Sequence, residues 1–327
     1  MFALHTARHT AHRDSSRVGA VLKRAHDLHA GSLQTHIGAV VLFVAAAVAL
    51  LVLTAGSLSA QGGMNAEERE RRLQEQLSQP TPIAHHNTVW IERMTWMEVR
   101  DALAAGKTTA IISTGGIEQN GPFVQLDKHQ VVLEAMCDAI ARELGDALCA
   151  PIVDLVPEGG IEEPTGHMRY PGTISMRPST YEAILEDMAS SLRTHGFTDI
   201  VFIGDSGGNQ AGMERVANLL NERWDNARAH FVPEFYNYDD VLEYMETELG
   251  VVQPVDDGVH DNFYINSIMM TVDPTVVRLD ERLAAGNAMI NGVPLTPLYK
   301  TLQVGNALIE FRTKVTVDAI RAAIASN

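Results

Sequence analysis

The stretch HMRYPGTISMRPSTYEAILEDMASSLRTHGFTDIVFIGDSGGN (residues 167–209) sets a helix, a strand and a glycine-rich loop one after another. Tyr181–His195 repeats its apolar residues at helical spacing, and Ser179 with Glu182 three residues on has the form of a capping box. TDIVFIGD (198–205) is an apolar run too short for a helix, the pattern of a strand buried on both faces. A second periodic segment, Gln210–Trp224, follows the loop. A buried strand between two long helices predicts an α/β fold whose mostly parallel sheet carries helices on both faces.

Working upstream, the same grammar recurs. TTAIIST (108–114) and ALCAPIV (147–153) read as further buried strands, with a helix over His129–Leu144 between them. No repeat interrupts this pattern, so residues 91–327 are expected to form one catalytic-sized domain. Residues 64–90 differ: NAEERERRLQEQLSQ is a polar helix, and PTPIAHHN a proline-broken linker in which His85 and His86 are simply exposed. Ile37–Leu53 is uncharged for seventeen residues, follows Arg8, Arg13, Arg17, Lys23 and Arg24, and precedes small residues. Residues 1–63 therefore read as a signal peptide or signal anchor. Either puts the domain outside the cytoplasm, periplasmic, secreted or anchored, with membrane contact only through this segment.

A formal charge of −16 makes the chain a poor partner for nucleic acid, since like charges repel before any groove contact forms. Two cysteines, Cys137 and Cys149, exclude a disulfide scaffold and a four-cysteine zinc site. Both lie in apolar runs and are expected as buried free thiols, with a disulfide as the lesser alternative.

In open α/β sheets, sites gather beyond the carboxyl ends of the strands. Four glycine-bearing segments qualify: 113–129, 162–173, 203–212 and 258–267. They bring Glu118, Asn120, Asp127, Lys128, His129, His167, Arg169, Asp205, Ser206, Asn209, His260 and Asp261 onto loops where backbone can approach a ligand. GDSGG (204–208) matches the nucleophile loop of chymotrypsin-like proteases, but the α/β pattern, the helix that follows and Asn209 after the glycines all speak against that all-β fold.

IISTGGIEQNGPF (111–123), the stretch 167–209 and HDNFYINSIMM (260–270) together resemble the creatininase (creatinine amidohydrolase) family, in order, over about residues 90–275. The resemblance implies a three-layer α/β/α domain, hydrolysis of small, often cyclic, amides at a metal centre, and homo-oligomers. Glu118 matches a family metal ligand. The other ligand positions carry Asn120, His129, Ser206 and Ile265, while His260 matches the histidine used for acid/base work. Loss of a bridging carboxylate at His129 and of any donor at Ile265 predicts one divalent metal instead of two. Its expected ligands are Glu118, His129 and Asp205, and the metal Zn²⁺, or Mn²⁺ or Fe²⁺.

On that reading His260 is the catalytic base, oriented by Asp261, and Asn120, Lys128, His167, Arg169, Ser206 and Asn209 bind a small-molecule substrate. The expected activity is a metal-dependent hydrolase of a small, non-peptide C–N bond. A lyase or isomerase on the same scaffold, and a catalytically inactive binding protein, are the alternatives.

Overall fold

The structure, a computed structural model, describes residues 65–258 and 260–326. The apolar segment 37–53 lies outside them, and among the described residues no helix is long and apolar enough to cross a membrane. The chain divides into two units at Gln79/Pro80. Of the first, the described part is α1 (Ala66–Leu77), which buries no residue. It is held by its own surface chemistry: Asn65 Oδ1 accepts the Glu68 N–H at 2.7 Å, and Arg71 pairs with Glu68 and Glu75 one turn away on either side.

The second unit opens with α2 (Trp96–Ala104), started by a capping box between Thr95 and Glu98. Glu98 also accepts the His86 N–H at 2.7 Å, fastening the proline-broken segment to the helix. Four parallel strands follow: β1 (Thr109–Thr114), β2 (Ala147–Cys149), β3 (Asp199–Gly204) and β4 (Arg228–Phe231). Their order in the sheet is β2-β1-β3-β4, with Thr109–Thr114 in register with Asp199–Gly204. All six residues of β1 are buried, as a strand covered on both faces requires.

Two groups of helices cover the sheet. One holds α3 (Lys128–Leu144), α7 (Phe263–Val272) and the 28-residue α9 (Leu298–Ala325); the other holds α4 (Pro178–Thr194) and α5 (Gln210–Arg223). The chain also forms α6 (Tyr238–Thr247) before α7, and the short α8 (Leu279–Ala284) and a two-stranded ribbon of β5 (Met289–Ile290) and β6 (Val293–Pro294) between α7 and α9. This is the α/β architecture that the strand–helix alternation predicts.

Three local expectations change. The strand expected through Val153 ends at Cys149, because Pro151 has no N–H to continue the ladder. Helix α4 starts at Pro178 with Arg177 as N-cap and no side-chain cap, so Ser179 and Glu182 lie inside the helix and form no capping box. Proline at the first helical position supplies the start instead. Cys137 and Cys149, expected as free thiols, form a disulfide. Packing α3 against β2 brings their Cα atoms to 6.2 Å, within bridging range, and both residues are fully buried.

Candidate active site

The sheet order reverses between β1 and β3, and there the two strand ends leave a crevice. Glu118 follows β1 and Asp205 follows β3, while Lys128 and His129 begin α3 just beyond. Glycines allow this crowding. A Cβ at Gly116 would stand 2.1 Å from the Glu158 carboxyl, and one at Gly208 would stand 2.1 Å from the Pro157 carbonyl.

At the centre is an unbroken line of polar contacts. His129 Nε2 lies 2.7 Å from Glu118 Oε1, and its Nδ1 lies 2.8 Å from Asp205 Oδ2. The other Asp205 oxygen accepts from the Tyr238 hydroxyl and, at 3.0 Å, from Arg312 Nη2. Lys128 Nζ lies 3.0 Å from Glu118 Oε1 and 3.4 Å from His260 Nε2. Glu118, His129 and Asp205 are thus brought together, but as a carboxylate–imidazole–carboxylate sandwich in which both ring nitrogens are engaged.

A different set surrounds a shared centre. One ligand atom each from Glu118, His167 and His260 lies within 4.8 Å of the other two. His167 Nε2 is 3.2 Å from Glu118 Oε2, and the His167 and His260 rings lie 4.7 Å apart between centres, tilted by 30°. One carboxylate and two imidazoles make a donor set suited to a single borderline divalent ion. Glu118 is common to this set and to the expected one; His167 and His260 stand in the other two places.

Electrostatics follow from burial against partners. Burial pushes the Glu118 carboxyl up, but the His129 bond and the Lys128 charge outweigh it and hold it well below the usual carboxylate range. Asp205 is likewise penalised by burial, yet the Arg312 guanidinium and the His129 ring keep it low. Burial disfavours the charged His129 ring, but Asp205 and Glu118 raise its pKa on balance. His260 goes the other way, lowered by burial and by the neighbouring Lys128 charge. Glu158, beside Glu118 and Ser206, is pushed up to about 9 by burial and by the Glu118 charge. It keeps its proton at neutral pH.

The remaining expected residues separate into two groups. Ser206 lines the cavity with Lys128 and His167. Asn209 is fully buried and its amide bonds the Thr114 and Gly115 carbonyls at 3.1 and 2.8 Å, clamping the ends of β1 and β3. Asn120 donates to the Glu118 and Gln125 carbonyls and so braces its own loop. Arg169 is exposed and does not line the cavity. Asp261 turns to Arg282 and Asn266, while the carbonyl of Gln119 faces His260 Nδ1 at 3.2 Å. Ile265 forms part of the wall.

Sequence reasoning missed Glu158, Arg312 and the three tyrosines of the wall, Tyr236, Tyr238 and Tyr264. Tyr236, Tyr238 and Arg312 lie in no glycine-rich segment; Glu158 precedes Gly159-Gly160 and Tyr264 lies within 258–267, but neither is a residue type that marks a strand-end site by itself. The cavity is about 150 Å³, lined by these tyrosines and by the charged cluster.

Residues 92–303 match the family model described as "Creatininase: Creatinine amidohydrolase". The chain belongs to the creatininase family. It is 24% identical over 202 residues to a creatinine amidohydrolase of Pseudomonas putida, covering 59% of this chain and 75% of that protein. It is also 24% identical over 200 residues to a mycofactocin precursor peptide peptidase of Mycolicibacterium smegmatis, covering 60% and 68%. Among solved structures, a creatinine amidohydrolase superposes with a TM-score of 0.54 at 18% identity, over 72% of this chain and 97% of that one. A mutant creatininase described as "Zn-Zn type" gives 0.53 at 19%, over 72% and 98%, and one described as "Creatininase Mn" gives 0.53 at 18%, also over 72% and 98%. This creatininase-family chain shares their fold and carries its own set of charged residues in the crevice.

Proposed function

We propose that this protein is a metal-dependent hydrolase of a small C–N bond, working with a single divalent ion held by Glu118, His167 and His260. The observation that carries the reading is the convergence of those three donors at the β1/β3 strand ends of a creatininase-family fold. The metals named for the solved relatives, zinc and manganese, favour Zn²⁺ or Mn²⁺. Among the described residues no second group of donors is offered for another ion: the Asp205 oxygens face His129, Tyr238 and Arg312, and Ile265 has no donor atom.

When bound, such an ion polarises a substrate carbonyl and acidifies water. The chain's own groups supply the rest. Lys128 Nζ, between Glu118 and His260, donates to oxygen that gains negative charge. Glu158, behind the lining of the cavity, holds a proton next to Glu118 and Ser206. Tyr236, Tyr238 and Tyr264 give a flat, polar-edged wall for a small ring. At 150 Å³ the cavity is well under the roughly 300–1,000 Å³ of ordinary ligand pockets, which favours a small amide over an internal peptide bond. Export of the domain and assembly into homo-oligomers belong to the same proposal.

The test is metal analysis of natively purified protein together with turnover of cyclic amides, short peptides and lactones. One equivalent of metal per chain, lost in Glu118→Ala with the activity, is expected. Two equivalents, or none after reconstitution, would overturn the single-ion hydrolase.

A further inference from the structure

The C-terminal helix α9 runs past residue 303, where the family match ends, and brings Arg312 into the interior behind the crevice. An arginine that is 3% exposed is costly unless something holds it. Here Nη2 donates to Asp205 Oδ1 at 3.0 Å and to the Phe235 carbonyl at 3.1 Å. The guanidinium carbon sits 4.5 Å from the Phe235 ring centre and 5.0 Å from that of Tyr238. Among the described residues, Nε and Nη1 find no hydrogen-bond partner. Two unpaired buried donors mean that this guanidinium is not there for hydrogen-bond economy; its useful contact is with Asp205.

We infer that Arg312 is a positioning residue for the metal ligand Glu118, acting through Asp205 and His129. The inference rests on the single-ion reading above. Asp205, fully buried, is fixed by Arg312 and the Tyr238 hydroxyl on one oxygen. Its other oxygen fixes His129 Nδ1, and His129 Nε2 in turn holds Glu118 Oε1 at 2.7 Å. Glu118 Oε2 is left to face His167. Outer partners of this kind orient a ligand, and losing one typically weakens metal binding about 10–100-fold. The ladder also fills with protein cations the ground on which a second ion would need Asp205. Arg312 itself lies beyond the residues that the family model matches, in the later turns of the same helix.

The test measures Zn²⁺ affinity by chelator competition, Zn²⁺ stoichiometry and kcat against KM for wild type, Arg312→Gln, Arg312→Lys and Tyr238→Phe. Arg312→Gln is expected to keep one equivalent at saturating Zn²⁺ but bind it about 10–100-fold more weakly, with kcat reduced and KM little changed. Arg312→Lys should recover part of the affinity. Tyr238→Phe removes one hydroxyl from the same Asp205 oxygen and should weaken binding in the same direction. It carries the test if Arg312→Gln does not fold. Unchanged Zn²⁺ affinity in these variants, with only a lower melting temperature, would overturn the inference and reduce Arg312 to a structural role. A wild type that binds no Zn²⁺ would instead overturn the single-ion reading on which it stands.

Discussion

Asp261 and His260 are neighbours in sequence that serve different interiors. His260, with φ at +55°, turns its ring to His167 and Glu118, while the Asp261 carboxylate is buried against Arg282 and Asn266. Gly121 makes room for it, since a Cβ there would stand 2.5 Å from Asp261 Oδ2. The Asp261–Arg282 pair thus pins the residue next to a candidate ligand in left-handed backbone, a conformation that costs a non-glycine residue energy unless its surroundings fix it.

Arg282→Met leaves the Asp261 carboxylate buried without its cation. A loss of about 3–5 kcal/mol is expected, as for other broken buried pairs, read from the denaturant midpoint. Because His260 shares the loop, metal affinity should fall in the same variant. A stability change under about 1 kcal/mol, the range of exposed pairs, would show that Asp261 is reached by water.

Glu158 supplies a pH signature. Its carboxyl is pushed up to about 9 in the folded protein, against the ordinary 4.5 of an exposed glutamate. Between these values the unfolded chain has released the proton and the folded chain keeps it, so the folded state binds more protons and stability falls as pH rises. The slope from this group is at most about 1.4 kcal/mol per pH unit, and is present only in that window. Chelator-treated Glu158→Gln should lose this descent relative to wild type. Parallel stability–pH curves for the two proteins would contradict the assignment.

The Cys137–Cys149 bridge closes a short loop, with a sequence separation of 12. Replacing both cysteines by serine is expected to cost roughly 2–4 kcal/mol, measured by chemical denaturation under oxidising conditions. Since both residues are fully buried, reductant should attack only after local opening. Thiol labelling in reductant without denaturant should therefore be slow, and rapid labelling would count against this burial.

Gly208→Ala tests the loop after β3. The added Cβ would meet the Pro157 carbonyl, which is backbone and cannot swing aside as a side chain can. A cost of about 1–3 kcal/mol is expected, together with displacement of Ser206 and loss of turnover. Normal activity and melting temperature would mean that the loop has room for the methyl group.

The sequence by itself determined the α/β class, three of the four sheet strands and the three helices that follow or separate them. Runs such as TAIIST (109–114) and DIVFIG (199–204) bury both faces whatever their neighbours, and the periodic helices between them leave parallel pairing as the way to cover them. The segments bearing Glu118, His129, Asp205 and His260 were equally legible, because glycines and ionisable residues mark strand ends locally. Tertiary structure alone decided what each group does there. Which nitrogen of His129 meets which carboxylate, whether Asp261 serves His260 or Arg282, and whether two cysteines meet across α3 and β2 all depend on sub-ångström packing between segments far apart in the chain. Arg312 is the extreme case: it lies 107 residues from Asp205, and its meaning appears only when its helix folds back onto the crevice.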